Sequence, residues 1–309
     1  AKATNEHKTL CAVTNKQNKD SVKNLSVFVQ QNGSECDFNN SDSWVILSPI
    51  EQSIKRKIEA VGTPLKDWDI NIYRGVLTGY NEAFIISTEK REEILANCQS
   101  EDERTRTAEL IRPILRGRDI KRYGYEWADL WIINTHNGIK GKLPRIDVNE
   151  YPTIKAHLDQ YWDKISKRAD KGDTPYNLRN CAYMEDFNQP KIVWGNLNLK
   201  ASYALVEDNS FINAPSPMIV PANKFLLAVL NSKLADYYIR QLGVTRNGGY
   251  FEYKPMFVEL LPVPLNVDAE LLRQIESNVI QLNEKEIDDL IYSLYGISSN
   301  EILYIESLL

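Results

Sequence analysis

Apolar residues recur at helical spacing in four well-punctuated stretches. Ile50, Ile54, Ile58 and Val61 form one stripe. It opens with a Ser48 cap, Pro49 at the first helical position and Glu51 three residues after the cap, and Gly62 can close it. Ser100 with Glu103 opens a second helix towards Leu110, which Pro113 is expected to end. Tyr151-Pro152 begins a third, with Ile154, Leu158 and Ile165 in register, and Asn223 caps a fourth, with Leu226, Leu230, Leu234 and Tyr237 on one face before Gly243. Between these lie short β-type runs. Residues 9–13 and 25–30 read as two strands of a hairpin. Residues 69–87 read as a strand pair turning at Thr78-Gly79-Tyr80-Asn81, and 127–135 as a buried strand around Trp131. Strands are also expected at 191–194, 202–206 and 251–257, with extended chain at 213–221 and 260–264; Trp131 and Trp194 are candidate core.

Short strands and helices alternate without a repeat, which predicts an α+β body on a twisted mixed β-sheet with flanking helices, then a C-terminal helical segment. The expected division is 1–47 as linker or the end of an upstream domain, 48–265 as the main domain, and 266–309 as an acidic helical segment. The chain opens without an initiator Met, in the middle of an apparent hairpin, and is expected to be a piece of a longer protein.

Charge changes this picture more than bulk composition does. The 309 residues are 43% hydrophobic and 26% charged, ordinary for a globular protein, with a net charge of −5. From Asn266 onward there are nine acids and two bases, a net of −7, which leaves +2 for residues 1–265. A mildly basic body is compatible with a nucleic-acid face. No run of 18 apolar residues suggests a membrane span, and no basic-then-apolar leader is seen. Cys11, Cys36, Cys98 and Cys181 are scattered without a CxxC pair, so reduced thiols and a cytoplasmic location are expected. With only three histidines, a zinc site is not expected.

The densest chemistry lies in 111–125. Arg112, Arg116, Arg118, Lys121 and Arg122 stand against the single acid Asp119, with Gly117 breaking the run and Tyr123 and Tyr125 closing it. Arginines beside a glycine and tyrosines suit a surface that tracks phosphates and reads base edges; a solvated helix end is the plainer alternative. Further candidate contacts are Arg74, Thr78, Tyr80 and Asn81, Lys140 and Lys142 with Arg145 in a Gly/Pro-punctuated loop, and Arg246, Asn247 and Tyr250 in a glycine-rich loop. Asn81 can pair with adenine or equally satisfy a turn. His136 sits in a polar loop and reads as a solvated turn residue rather than a base. The common dinucleotide, phosphate-loop, zinc-protease and hydrolase motifs are absent. Asp119-Ile120-Lys121 matches the tail of a metal-dependent nuclease motif, but arginines surround it, and Asp119 is better cast as their partner. Asn188-Gln189-Pro190 lacks the second proline and the aromatic of an adenine-holding motif, and reads as a turn.

Four segments in order resemble a known family. They are Gly75-Val76-Leu77-Thr78-Gly79-Tyr80-Asn81-Glu82-Ala83-Phe84-Ile85-Ile86, Ile114-Leu115-Arg116-Gly117-Arg118-Asp119-Ile120-Lys121-Arg122-Tyr123, Pro190-Lys191-Ile192-Val193-Trp194, and Phe225-Leu226-Leu227-Ala228-Val229-Leu230-Asn231-Ser232-Lys233-Leu234. As a set they resemble the TaqI-like C-terminal specificity domain, the target-recognition part of DNA adenine methyltransferases and of fused type IIG restriction-modification enzymes. The tail, with Ile287-Asp288-Asp289-Leu290-Ile291-Tyr292 and Leu294-Tyr295-Gly296, is similar to the segment C-terminal to that domain in such proteins. The resemblance implies a double-stranded DNA partner and a covalently linked upstream methyltransferase that uses S-adenosylmethionine. Where a nuclease is fused, it also implies magnesium in the parent. This piece itself is expected to be non-catalytic, to hold no cofactor and to touch no membrane. The rival expectations are a separate specificity subunit acting in trans, and a protein-interaction module using the tail stripe Leu271, Ile275, Leu282, Leu290 and Leu294.

Overall fold

The computed structural model describes residues 8–14, 23–37, 46–243 and 245–309. Two four-stranded sheets organise the body. Their strands, in chain order, are β1 (Asn71–Arg74), β2 (Ile85–Ser87), β3 (Ile111–Leu115), β4 (Leu130–Ile133), β5 (Lys191–Trp194), β6 (Tyr203–Val206), β7 (Phe211–Ile212) and β8 (Pro217–Val220). One sheet runs β6-β5-β8-β1, antiparallel throughout, and the other runs β7-β3-β4-β2, mixed because β7 lies parallel to β3.

The antiparallel sheet is a wall between two cores. Side chains of a strand alternate between faces, and here both faces are covered, so the strands read as continuous apolar runs. Ile192, Trp194, Tyr203 and Ile219 point into one core, while Val193, Ala204, Val206, Met218 and Val220 point into the other. The second core is closed by the mixed sheet with helices α2 (Thr88–Ala96) and α4 (Pro152–Asp159), α3 being Glu101–Leu110 between them. The first is closed by α1 (Pro49–Val61), α5 (Lys224–Asn231), α6 (Lys233–Leu242) and the tail helices α7 (Ala269–Gln281), α8 (Glu284–Leu294) and α9 (Ser299–Leu308). The α+β class is the expected one, but the described residues form two four-stranded sheets and four two-stranded ones where one sheet was expected.

The capping signatures at Ser48 and Ser100 form as expected, and a further box forms at Ser298. Ser48 and Glu51 make a reciprocal box at α1, Ser298 and Glu301 make another at α9, and Ser100 caps α3. That helix ends at Leu110, before Pro113, which sits inside β3 opposite Trp131. Four secondary-structure expectations fail for identifiable reasons. Residues 25–30 form a helix, Leu25–Asn32, capped by Asn24; the strand Lys8–Cys11 pairs instead with Ser34–Asp37. The 69–87 pair is no hairpin. Gly75 packs so closely on the Ile212 carbonyl that a Cβ would sit 2.2 Å from it, and the chain passes from β1 in one sheet to β2 in the other. The helix after Asn223 breaks at Ser232, whose hydroxyl accepts from Ala235 N while Asp288 accepts from Lys233 N, so α6 starts afresh. Residues 251–257 give only the strand Phe251–Glu252, because Pro255 starts a helical turn. Trp194 is fully buried as expected, but Trp131 is half-buried beneath the Arg91 guanidinium, and His136 is buried rather than solvated, with Nδ1 accepting from Gly138 N.

The tail is packed into the main core. Ile275, Ile287, Ile291 and Ile305 share it with Ile54 and Leu226, and each such burial stabilises by about 1.5–3 kcal/mol. Leu271, Leu290 and Leu294 are half-buried against the same core, and only Leu282 of the suggested docking stripe stands exposed. The stripe is occupied within the chain, which removes the feature that motivated a separate interaction module.

Candidate nucleic-acid interface

Strand β3 ends at Leu115 and the chain turns sharply through Gly117–Asp119. Asp119, 5% exposed, holds this turn: its carboxylate accepts from Arg116 N at 2.8 Å, Nε at 2.9 Å and Nη2 at 2.7 Å. Burial alone would raise the Asp119 pKa, but the Arg116 hydrogen bonds and the Arg118 charge hold it below its usual value. Gly117 packs closely here: a Cβ would lie 2.8 Å from Ser216 Oγ and 3.5 Å from Gly195 Cα. The turn therefore seats directly on the loops at 195–200 and 213–216. With Arg116 committed, Arg118 stands exposed, and Lys121 is half-exposed with Nζ donating to the Arg118 carbonyl at 3.0 Å and lying 3.6 Å from Glu126.

These loops enclose a groove of about 800 Å³. Its second wall is the segment after β5: Asn196 Nδ2 donates to the Pro215 carbonyl, Asn198 Nδ2 to the Gly195 carbonyl, and Leu197 pairs with Glu252. This leaves Leu199 and Lys200 exposed on the wall, with Tyr250 exposed at the rim. Asn81 closes the remaining side. The fold thus gathers Asn81, Arg116, Arg118, Lys121 and Tyr250 from the sequence candidates, and adds Asn196, Asn198, Lys200 and Ser216, which sequence reasoning missed. The Gly195-Asn196-Leu197-Asn198 run after a buried strand is a turn signal that could have flagged them.

Other candidates lie elsewhere. Arg122, expected as a contact, is drawn inward: Nε pairs with Glu284 at 2.5 Å and Nη1 donates to the carbonyls of Asn231 and Ala201. Tyr123 adopts φ +64° and packs on the first core, its hydroxyl buried without a partner, so it faces no groove. Arg112 is half-buried at the other end of β3, bonded to Asn188 Oδ1 at 3.0 Å and the Asn209 carbonyl. Thr78 is buried, and Tyr80 leans half-buried on Tyr161. Arg74 is exposed at the end of β1 outside the groove. Lys140 and Lys142 border a separate depression, about 770 Å³, where Lys142 pairs with Glu185 and Arg145 with Asp173. Arg246 pairs with Glu252 and its N–H donates to the Tyr250 carbonyl, bracing the rim, whereas the Asn247 side chain lies outside the described residues.

Nothing at the groove resembles a nuclease centre. The Asp119 carboxylate is taken by Arg116, and among the described residues no group of three or more His, Cys, Asp or Glu could hold a metal ion.

Residues 112–263 match the family model of the TaqI-like C-terminal specificity domain, a span that contains the turn and the 195–216 wall. Over 272 residues the chain is 21% identical to the type II methyltransferase M.PaeR7I of Pseudomonas aeruginosa, covering 85% of this chain and 44% of that protein. Over 274 residues it is 20% identical to the type II methyltransferase M.XhoI of Xanthomonas vasicola, covering 85% and 47%. The fold is that of part of the type IIL restriction-modification enzyme MmeI, solved in complex with DNA (TM-score 0.60, 11% identity, 89% of this chain and 39% of that one). It is also similar to part of the type IIG restriction endonuclease BpuSI (TM-score 0.54, 15% identity, 84% and 31%). The chain spans less than half the length of each of these relatives. Residues 112–263, just under half of the chain, are similar to the TaqI-like C-terminal specificity domains.

Proposed function

We propose that this chain selects the DNA sequence on which a bacterial restriction-modification protein acts. The observation that carries the reading is the groove built mostly of the matched span, where Arg118, Lys121 and Lys200 stand exposed beside the amides of Asn196, Asn198 and, from outside that span, Asn81. Cations there set register on phosphates, and amides and rings reach base edges. A turn locked by Asp119 suits this work, because contacts on rigid elements discriminate better than contacts on loose ones.

The catalytic step belongs to the rest of the parent. An upstream methyltransferase part would bind S-adenosylmethionine and modify adenine, a fused nuclease would bring magnesium, and both would act in the cytoplasm. The methyltransferase names of the two sequence relatives and the restriction-modification names of the two structural ones support this division. Titrating a pool of random-sequence duplexes into the 309-residue chain tests the reading. Salt-dependent binding with enrichment of particular sequences is expected; duplex binding absent even at low salt would refute it.

A further inference from the structure

We infer that Asn81 reads a hydrogen-bond acceptor on one base edge, and that Thr78 and the buried Arg168 set its orientation. The inference rests on the groove being the DNA face. Asn81 opens the short helix Asn81–Phe84, is exposed, and lines the groove that Arg118 also lines. Its Oδ1 is engaged: the Thr78 hydroxyl, on a side chain 2% exposed, donates to it at 2.5 Å. Among the described residues no partner meets Nδ2, so the amide is held oxygen-inward and offers its two N–H groups. These complement the N7 or O6 of a purine or the O4 of thymine in the major groove.

Thr78 is itself pinned from behind. Arg168, 7% exposed, donates from Nη1 to the carbonyls of Thr78 and Asp170, and from Nη2 to those of Pro175 (3.0 Å) and Asn177 (2.5 Å). Its guanidinium also stacks 4.4 Å over the Phe84 ring, on the helix that Asn81 begins. All four of these acceptors are backbone carbonyls. Burying a guanidinium this way is costly, and what it secures is a fork with fixed directions, tying the 78–81 loop to the 170–177 loop. Gly79 completes the fit: at φ +68°, a Cβ would lie 2.5 Å from the Asp170 carbonyl oxygen. Thr78 and Arg168 are positioning residues, acting on DNA only through Asn81.

The test selects bound duplexes from a randomised pool with the 309-residue chain and reads base preference position by position. Asn81→Ala is expected to flatten the preference at one position by about tenfold, leaving the others and the salt slope as they were. Asn81→Asp, which exchanges donors for acceptors, is expected to move that same position towards a base offering a donor, cytosine N4 or adenine N6. Thr78→Val and Arg168→Lys are expected to blur that position alone, which a purely structural role would not do; should the Arg168 variant fail to fold, Thr78→Val still decides. If the wild-type chain selects a consensus that Asn81→Ala leaves intact at every position, the inference is wrong while the DNA reading stands. Thr78→Val shifting the melting temperature without touching any position would remove the positioning role. A wild-type chain that enriches nothing overturns both.

Discussion

Arg116 and Asp119 meet as a fork, with two guanidinium nitrogens on the two carboxylate oxygens and the Arg116 N–H on the same group. This pairing sorts the cations of 112–122. Arg112 and Arg122 tie distant segments together, Arg116 locks the turn, and Arg118 and Lys121 remain to face the groove. The basic stretch is a frame for two outward cations, not a uniform basic surface.

Asp119→Ala should therefore act twice. The Arg116 guanidinium and N–H lose their acceptors, at a cost of about 1–3 kcal/mol, and the turn that aims Arg118 loosens. Denaturant unfolding should show the stability loss, and duplex binding a further loss of affinity. Asp119→Asn, which keeps acceptor capacity, should lose less in both. Unchanged binding by Asp119→Ala would mean the turn does not present the contacts.

Glu301 joins the tail to α1. Burial raises its pKa, but the Lys57 ammonium at 2.6 Å, the Ser298 N–H and the Ser53 hydroxyl bring the carboxyl down to about 2, from an ordinary 4.5. A folded-state value below the unfolded one stabilises fully above about pH 4.5, and that contribution is lost as pH falls towards about 2. Glu301→Gln should cost about 1–3 kcal/mol at neutral pH and flatten the acid limb of stability. Parallel acid limbs for the two proteins would exclude this role.

Lys191 is fully buried in β5, its ammonium donating to the carbonyls of Phe187, Gln189 and Asp208 at 2.9, 3.3 and 2.8 Å. Burial pushes its pKa down to about 8 from 10.5. Here the unfolded chain binds the proton more tightly. The charge penalty is complete below about pH 8 and is relieved as pH rises towards 10.5, so this group makes stability increase across that window. Lys191→Met should cost about 1–3 kcal/mol by stranding those carbonyls, and should remove the increase. Buried tyrosines titrate at alkaline pH too, so the readout is the wild-type-minus-variant difference between about pH 7.5 and 9.5. A difference that does not change with pH would contradict the assignment.

How much the sequence reveals depends on the range of each interaction. The boxes at Ser48 and Ser298 and the Arg116–Asp119 fork span three residues, so spacing alone exposes them. Arg122 turns inward because Glu284 lies 162 residues away, and α6 restarts at Ser232 partly because Asp288, 55 residues from Lys233, caps it. No local pattern carries such partners. The same holds for the second wall of the groove, where the strand Leu197–Asn198 before Lys200 pairs with Phe251–Glu252, far along the chain. Asn231 is visible in the sequence only as part of a familiar segment. In the structure its buried amide bonds both the N–H and the carbonyl of Tyr203, joining α5 to β6.

The central claim is that Arg118 and Lys121 face DNA while Arg122 does not, and the salt dependence of duplex binding tests it most directly. Each phosphate contact contributes about 0.9 to the slope of log affinity against log salt. Arg118→Ala with Lys121→Ala should lower that slope by about 2 with little change in stability. Arg122→Ala should leave the slope unchanged while loosening the tail. A double variant with the wild-type slope, or an Arg122→Ala slope reduced as far as that of the double variant, would contradict the account.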